Sequence, residues 1–150
     1  MENKKTIPNN LFFASVEELI GEGRSVEMTV KGYSMRPFVR NGRETVVLSP
    51  LPDGGVKEGM VILFRYGGQH ILHRLVRVEG ERLTMEGDGN YRTSEVVAPA
   101  DVVAYVSEVG LICGRRIGYN SLAWRWRSAW SLARKWARRV AVDLKHKICK

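Results

Sequence analysis

Three short segments contain side chains that could carry out chemistry together. Ser34 lies in the stretch "GYSM", His73 lies in "ILHR", and Asp88 lies in "GDGN". A serine hydroxyl becomes a nucleophile at neutral pH when a neighbouring base takes its proton, and histidine is suited to that work. A carboxylate can then orient the imidazole and stabilise its charged form, and both Asp88 and Glu95 are candidates for this role.

Each of these residues also has an ordinary structural interpretation. Ser34 could be a turn or capping serine, because serine hydroxyls commonly bond to nearby backbone in turns. His73 stands between apolar residues of an apparent strand, where a histidine is usually a half-buried packing residue. Asp88 is favoured in a turn rich in Gly and Asn for local reasons alone. Taken singly, the three segments do not establish an enzyme.

The same residues give little support to a metal site or a disulfide framework. His70 and His73 are three positions apart, so on a strand their side chains point to opposite faces. Cys113 and Cys149 are the only cysteines, and neither belongs to a CxxC pair. We therefore expect no metal site and no disulfide framework, and a reducing compartment.

The elements that position these residues are mostly strands. A helix is predicted over about residues 10–22, with acidic positions on its outer face. Short alternating or apolar runs separated by Gly-rich and Pro-rich turns then continue through residue 110, which is typical of a barrel-like or sandwich-like β domain. The predicted strands cover residues 25–30, 44–49, 59–66, 69–78, 81–87 and 101–109.

Charge divides the 150-residue chain into a body and a tail. Residues 1–114 hold 13 basic and 15 acidic side chains, whereas residues 115–150 hold 11 basic side chains and a single acid, Asp143. The body is slightly acidic, which argues against a nucleic-acid-binding body. We predict a β domain over 1–114 and a separate basic, Trp-rich tail over 115–150.

The tail has the periodicity of an amphipathic helix. Its apolar residues recur every three or four positions and cover a stripe about 80° wide. Arginines and lysines line one side, whereas Trp124 and Val142 interrupt the polar face. The stripe consists of Leu122, Trp126, Trp130, Ala133, Ala137, Val140, Leu144 and Ile148.

Three interpretations of this helix stay open. It could fold onto the β body, with arginine stems covering apolar area. It could lie on an anionic membrane surface, since Trp with Lys and Arg is typical of interfacial helices. A nucleic-acid-binding tail is the third, which the Trp stripe disfavours. No uninterrupted apolar run of ~18 residues and no secretory signal is recognised, so we expect a cytoplasmic protein that is at most peripherally membrane-associated.

The order of the motifs resembles the type I signal peptidase family over roughly residues 25–110. The stretch "GYSMRP", an apolar strand, "ILHRLVRV", "LTMEGDGN" and "DVVAYV" follow one another as in that family. The similarity is greatest to the endoplasmic-reticulum-type branch, which uses a Ser-His pair, and the wider superfamily includes the LexA-like self-cleaving repressors. The resemblance implies a coiled, mostly antiparallel β fold that binds its substrate as an added strand.

The resemblance also implies roles for individual residues. Ser34 would be the nucleophile, His73 the general base, and Asp88 the acid of the Gly-Asp-x-Asn box, while Arg74 matches the arginine that commonly follows the base. The substrate would be a peptide or protein precursor with small residues before the cut, and no cofactor would take part. The expected substrate-binding positions around the nucleophile are Gly32, Tyr33 and Met35.

The sequence departs from the family in three places. Where the endoplasmic-reticulum-type branch has a further aspartate after the box, the nearest acid here is Glu95. Gly32 stands where some members supply a hydroxyl to the oxyanion hole, so that hole would depend mostly on the Ser34 N–H. The family's N-terminal membrane anchor is not recognised. An inactive peptide-binding module of the same fold is therefore a competing hypothesis, and a LexA-like repressor is disfavoured because too few residues precede the first strand.

Overall fold

The computed structural model describes residues 9–90 and 92–149, without the side chain of Asn9. The first eight residues of the predicted 1–114 domain, Tyr91, and the last residue of the predicted tail therefore lie outside the described part. The elements are α1 (Asn9–Gly21), β1 (Val26–Thr29), β2 (Thr45–Ser49), β3 (Val61–Tyr66), β4 (Gln69–Glu79), β5 (Arg82–Glu86), β6 (Glu95–Val97), a 3₁₀ turn (Pro99–Asp101), β7 (Val102–Gly110), β8 (Arg116–Gly118) and α2 (Leu122–Ile148).

All eight strands belong to one antiparallel sheet that curls into half a barrel. Its strand order is β1-β2-β7-β3-β4-β5-β6, with β8 added beside β7. The register shifts by one residue within the β2–β7, β3–β7 and β4–β5 pairs. Such bulges bend a strand and increase its twist, which accounts for the curl.

Apolar side chains pack on both faces of the curled sheet. Val61 and Leu63 of β3 point into a larger cluster that also contains α1 and the loop after β1. Ile62 and Phe64 of the same strand point into a second cluster with β4, β5 and β6. Because β3 is covered on both sides, its sequence is continuously apolar instead of alternating.

The coarse fold expected from the sequence is confirmed: the protein is mainly antiparallel β, with a short N-terminal helix and a C-terminal helix. Two strands differ from expectation. The three-residue strands β6 and β8 are too short to show an alternating pattern, so neither was predicted. Since β8 pairs with β7 through Ile117 and its neighbours, the sheet continues into the segment that we had assigned to the tail.

Helix α2 packs on the body through the face opposite its apolar stripe. Trp124, only 3% exposed, lies in the larger core cluster and meets the ring of Phe38 edge-on at 4.8 Å. Ser131 and Lys135 are also buried on this face. Trp124, which interrupts the polar face in the helical pattern, is thus the main apolar anchor of the helix. Within residues 9–90 and 92–149, no helix has the length and apolar character needed to cross a membrane.

Candidate active site

Ser34 lies in a tight loop between β1 and β2. Gly32, two residues earlier, has a φ of +99°, in the left-handed region that residues with a side chain rarely enter. Its N–H donates a hydrogen bond to Asn41 Oδ1 at 2.8 Å, which closes the loop. Just beyond Ser34, Met35 and Phe38 are buried in the core. The loop is therefore fixed on both sides of the serine, which itself is half-buried.

The Gly-Asp-Gly turn after β5 packs directly against this loop. The Gly89 N–H donates to the Ser34 carbonyl oxygen at 2.7 Å. A Cβ added at Gly87 would lie 2.5 Å from that same oxygen, and one added at Gly89 would lie 2.6 Å from the Tyr33 oxygen. Both distances are below the 3.0 Å that real Cβ atoms observe. Two segments far apart in sequence thus meet backbone to backbone, and only glycine permits the contact.

His73 projects from the middle of β4 towards the same junction. Its ring is buried, with 5% of the residue exposed, and its Nδ1 lies 2.9 Å from Glu95 Oε2. A hydrogen bond to a carboxylate requires Nδ1 to carry the proton, so in the neutral ring Nε2 is the acceptor. A Cβ at Gly87 would be 3.1 Å from Nε2, which places this nitrogen next to the Ser34 backbone.

The side-chain hydroxyl and the backbone N–H of Ser34 are uncommitted within the described part of the chain, whereas its carbonyl oxygen accepts from Gly89. Neither its hydroxyl nor its backbone N–H hydrogen-bonds to any residue of 9–90 or 92–149. The hydroxyl is thus available to a base, and the N–H is available to an oxyanion. Catalytic hydrogen bonds are often long in the absence of substrate and tighten when it binds.

The carboxylate that contacts the histidine is Glu95 and not Asp88, the first choice from the sequence. Asp88 accepts two hydrogen bonds from Arg74, at 2.8 and 2.7 Å, and a third from the Ser131 hydroxyl at 2.7 Å. His73 and Arg74 are consecutive on β4, so their side chains point to opposite faces of the strand. Asp88 therefore supports the site through Arg74, and Glu95 orients His73.

Arg74 is the centre of the polar network beneath the loop. Besides Asp88, its guanidinium donates to the Gly59 carbonyl at 2.9 Å and to the Ser128 hydroxyl at 3.2 Å, and it stacks over the Phe38 ring at 4.6 Å. A buried ion pair adds little net stability, but removing one partner typically costs about 3–5 kcal/mol because the other charge is left uncompensated. The network therefore fixes the relative positions of β4, the Gly-Asp-Gly turn and α2.

A second ion pair joins α2 to the base of the serine loop. Arg127 donates to both oxygens of buried Glu44, at 2.8 and 2.6 Å, and to the Phe38 carbonyl at 2.6 Å. Glu44 also accepts from the Arg40 N–H at 2.9 Å. This contact reaches the loop that carries Ser34 from a helix nearly ninety residues later in the chain.

Sequence reasoning missed these contributions from α2. One signal could have indicated them: Ser128 and Ser131 are short polar residues three apart, and with Trp124 they define one face of the helix. A face of small hydroxyls beside a large aromatic ring is better suited to close packing on a polar site than to exposure. The more obvious Trp stripe directed attention to the other face.

Of the three residues expected to bind substrate, two are exposed and one is buried. Tyr33 is exposed and lines a cavity of about 320 Å³ beside the serine loop, and Gly32 is exposed as well. Met35, in contrast, is 2% exposed and packs in the core, so its side chain is a structural anchor and does not face a ligand. The cavity is lined by Tyr33, Arg36, Pro37, Asp88, Gly89, Arg134, Lys135 and Arg138.

The other histidine of β4 serves the outer surface. His70 bonds through Nε2 to Glu17 of α1 at 2.7 Å, and its ring stacks on Phe13 at 4.5 Å. Among the described residues, no group of three or more His, Cys, Asp or Glu side chains is arranged to hold a metal ion.

The perturbed titrating groups lie away from the site. Hydrogen bonds from Arg116 and then Thr45 lower the pKa of Glu27 below its ordinary 4.5, and the same contact raises the pKa of Arg116. Burial, with a smaller effect of Tyr105, raises the pKa of Tyr119 above its ordinary 10.0. Glu27 of β1 and Arg116 of β8 meet through their side chains, and Tyr119 lies against Trp124 of α2, so these groups bear on stability.

Comparison of the chain with protein-family models, with curated proteins and with solved structures gave no match in any of the three. The motif resemblance to signal peptidases therefore has only the residues themselves behind it, and the function built on it is a proposal.

Proposed function

We propose that this protein is a serine endopeptidase that cleaves a peptide or protein precursor through a Ser34–His73 pair and an acyl-enzyme. The observation that supports the proposal is the close approach at Gly87. A Cβ added there would lie 2.5 Å from the Ser34 carbonyl oxygen and 3.1 Å from His73 Nε2, so the serine loop and the histidine ring are neighbours. Glu95 on the far side of the ring completes a base with a fixed tautomer.

In the first step, His73 Nε2 takes the proton from the Ser34 hydroxyl as Oγ attacks the scissile carbonyl carbon. The Ser34 N–H stabilises the negative charge that develops on the carbonyl oxygen. Glu95 accepts the Nδ1 proton in a hydrogen bond throughout and stabilises the imidazolium. His73 then gives its proton to the leaving amine, and the C–N bond breaks.

In the second step, a water molecule gives a proton to His73 Nε2 and its oxygen attacks the acyl carbon. The C–Oγ bond breaks, His73 returns the proton to Ser34 Oγ, and the new carboxylate product departs. Asp88 does not take part directly, since Arg74 and Ser131 occupy it. Its role is to tie the Gly-Asp-Gly turn to Arg74 of β4 and to Ser131 of α2, while the Gly89 N–H bonds the turn to the serine loop.

The test is intact-mass spectrometry after treatment with a serine-directed acylating probe that carries a small side chain next to its reactive carbonyl. The wild type should gain a single adduct. Ser34→Ala should gain none, and His73→Ala should react at least about 100-fold more slowly, the usual contribution of a general base. Circular dichroism of each variant shows whether the fold persists.

Two matched variants serve as controls. Ser15→Ala removes an exposed serine of α1, and His70→Ala removes the other histidine of β4. Both should label at the wild-type rate. A folded wild-type protein that gains no adduct would support the competing hypothesis of an inactive peptide-binding module, and equal labelling of Ser34→Ala would refute the assigned nucleophile.

A further inference from the structure

The two faces of α2 have different environments. The face that contains Trp124, Ser131 and Lys135 is buried against the β body, and these positions lie within about 40° of one another around the helix axis. This face makes the hydrogen bonds to Asp88 and to Arg74 described above. The helix is therefore held to the body by a face that combines the buried Trp124 with hydrogen-bonding serines. The opposite face does not pack on the body.

The side that points away is almost entirely apolar. Trp126, Trp130 and Trp136 are 71%, 51% and 68% exposed, although tryptophan is rarely so exposed on a protein surface. Leu122, Leu144 and Ile148 continue the face to both ends of the helix and are exposed too. A 27-residue helix is about 40 Å long, so this face is a long apolar strip. The Arg134 guanidinium lies over the Trp130 ring at 5.3 Å, and even so more than half of each of the three tryptophans is exposed.

Cationic side chains border the strip. Arg127, Lys135 and Arg139 reach inward and pair with carboxylates of the body. Arg134 and Arg138 do not pair with a carboxylate of the described chain, and both border the cavity beside the serine loop. Further along the helix, Lys145 and Lys147 are exposed in the last turn.

We propose that this strip docks α2, lying flat, on the surface of an anionic lipid bilayer. Trp side chains with Lys and Arg beside them match the boundary between acyl chains and negatively charged headgroups. The helix cannot cross the bilayer, since no helix in the described ranges is apolar enough to do so. Apolar area and positive charge together are the two contributions that give stable surface binding.

A protein partner fits the observations less well. A second copy of the chain would bring the same arginines and lysines against each other along both edges of the strip, which is unfavourable for an isologous interface. Arg116, Arg127, Lys135 and Arg139 of the tail pair with carboxylates of the body. The other basic residues, against a single acid in the tail, instead suit a surface of uniform negative charge.

Docking would also set the orientation of the candidate active site. The serine loop contacts the body-facing side of α2 through Arg127, so it would be held about one helix diameter, roughly 10 Å, above the lipid. Substrates close to the membrane surface would then be favoured. This consequence depends on the proposed peptidase activity, whereas docking itself does not.

The experiment is vesicle flotation of the full chain at physiological salt. Vesicles of phosphatidylcholine alone are compared with vesicles in which a third of the lipid is phosphatidylglycerol. The wild type should partition at least tenfold more strongly onto the anionic vesicles, with a blue shift of its Trp fluorescence. The double variant Trp126→Ser/Trp130→Ser should lose at least tenfold of this binding, and Arg134→Gln/Arg138→Gln should lose part of it.

The matched control is Tyr66→Ser/Ile112→Ser, which removes two exposed apolar side chains from the β body and should bind vesicles like the wild type. Three results would overturn the proposal: equal binding to both kinds of vesicle, unchanged binding of the Trp double variant, or no vesicle binding together with a Trp-dependent dimer in light scattering. Labelling of Ser34 without lipid should be unaffected in the Trp variant, so failure of docking and failure of the peptidase assignment are distinguishable.

Discussion

Strand β4 carries two histidine–glutamate pairs that look alike and have different surroundings. His70 lies 2.7 Å from Glu17, and His73 lies 2.9 Å from Glu95. Both histidines contact an aromatic ring. By distance and partner type alone, either pair could be taken for the base and acid of a hydrolase.

The pairs differ in which ring nitrogen is used and in what the other nitrogen faces. His70 hydrogen-bonds to Glu17 through Nε2 on a partly exposed surface. Glu17 Oε1 also lies 3.4 Å from Arg65 Nε there. His73 gives Nδ1 to Glu95 and leaves Nε2 at the buried Gly87 junction. A histidine–carboxylate contact is therefore not a catalytic signature by itself, and the environment of the free nitrogen is the informative feature.

The largest expected difference comes from exchanging each carboxylate for its amide. In Glu95→Gln, the amide NH₂ can donate to Nδ1, which moves the ring proton to Nε2 and removes the acceptor that Ser34 needs. We expect the rate of Ser34 acylation to fall by about 100-fold or more. The measurement is the time course of adduct formation by intact mass.

The matched exchange at the other pair is Glu17→Gln. It makes the same change beside His70, and the acylation rate should stay at the wild-type value. If both variants lost activity equally, the two pairs would be acting through stability and the distinction drawn between them would be wrong. If neither lost activity, Glu95 would have no role in orienting the base.

An intermediate effect is expected from Gly87→Ala, which tests the junction that only His73 faces. The new Cβ would meet the Ser34 carbonyl oxygen and His73 Nε2, and backbone cannot move aside as a flexible side chain can. We expect a loss of about 1–3 kcal/mol in unfolding free energy from overpacking and a fall of about tenfold in acylation rate. Denaturant unfolding and the acylation time course measure the two effects.

Gly21→Ala is the control for that substitution, since nothing lies within 4 Å of the position where its Cβ would be. It should leave both quantities near the wild-type values. Wild-type acylation in Gly87→Ala would mean that the close approach at Gly87 has no bearing on the chemistry.

The sequence predicted the strands well where alternation was long enough to see. Ser34, His73 and the Gly-Asp-Gly turn were singled out from local features of the sequence, and they lie close together in the structure, while their catalytic role stays a prediction. The hydrogen-bond partners of these residues were harder to predict. Glu95 begins the three-residue strand β6, and its contact with His73 depends on how β4, β5 and β6 align across the sheet.

For α2, too, the local pattern predicted the element but not its partners. Periodicity predicted α2 and its apolar stripe, but periodicity does not say which face turns inward. Trp124, Arg127 and Ser131 face the body because they contact Phe38, Glu44 and Asp88. The small hydroxyls beside Trp124 are the one local sign of this face, and the partners themselves come from distant parts of the chain. Either face of the helix could have packed on the body. The face with Trp124, Ser131 and Lys135 is the one that is buried.

The smallest effect is expected at Glu27, an exposed carboxylate that contacts Arg116 and no histidine. It shows how much an ion pair on the surface contributes, for comparison with the two histidine–glutamate pairs. Hydrogen bonds from Arg116 and Thr45 lower the pKa of Glu27, so the folded protein favours its charged form. The resulting stabilisation is fully present above the ordinary pKa of 4.5 and is lost as the pH falls through the lower folded-state pKa. Because Glu27 is exposed to solvent, Glu27→Gln should lower the melting temperature at neutral pH only slightly. The decrease should be much smaller than the decrease in melting temperature caused by Gly87→Ala. The difference from wild type should shrink in acid, and Ser34 acylation should not change. A Glu27→Gln deficit that grew as the pH fell would mean that this carboxylate stabilises the fold in its protonated form, the opposite of what its contacts with Arg116 require.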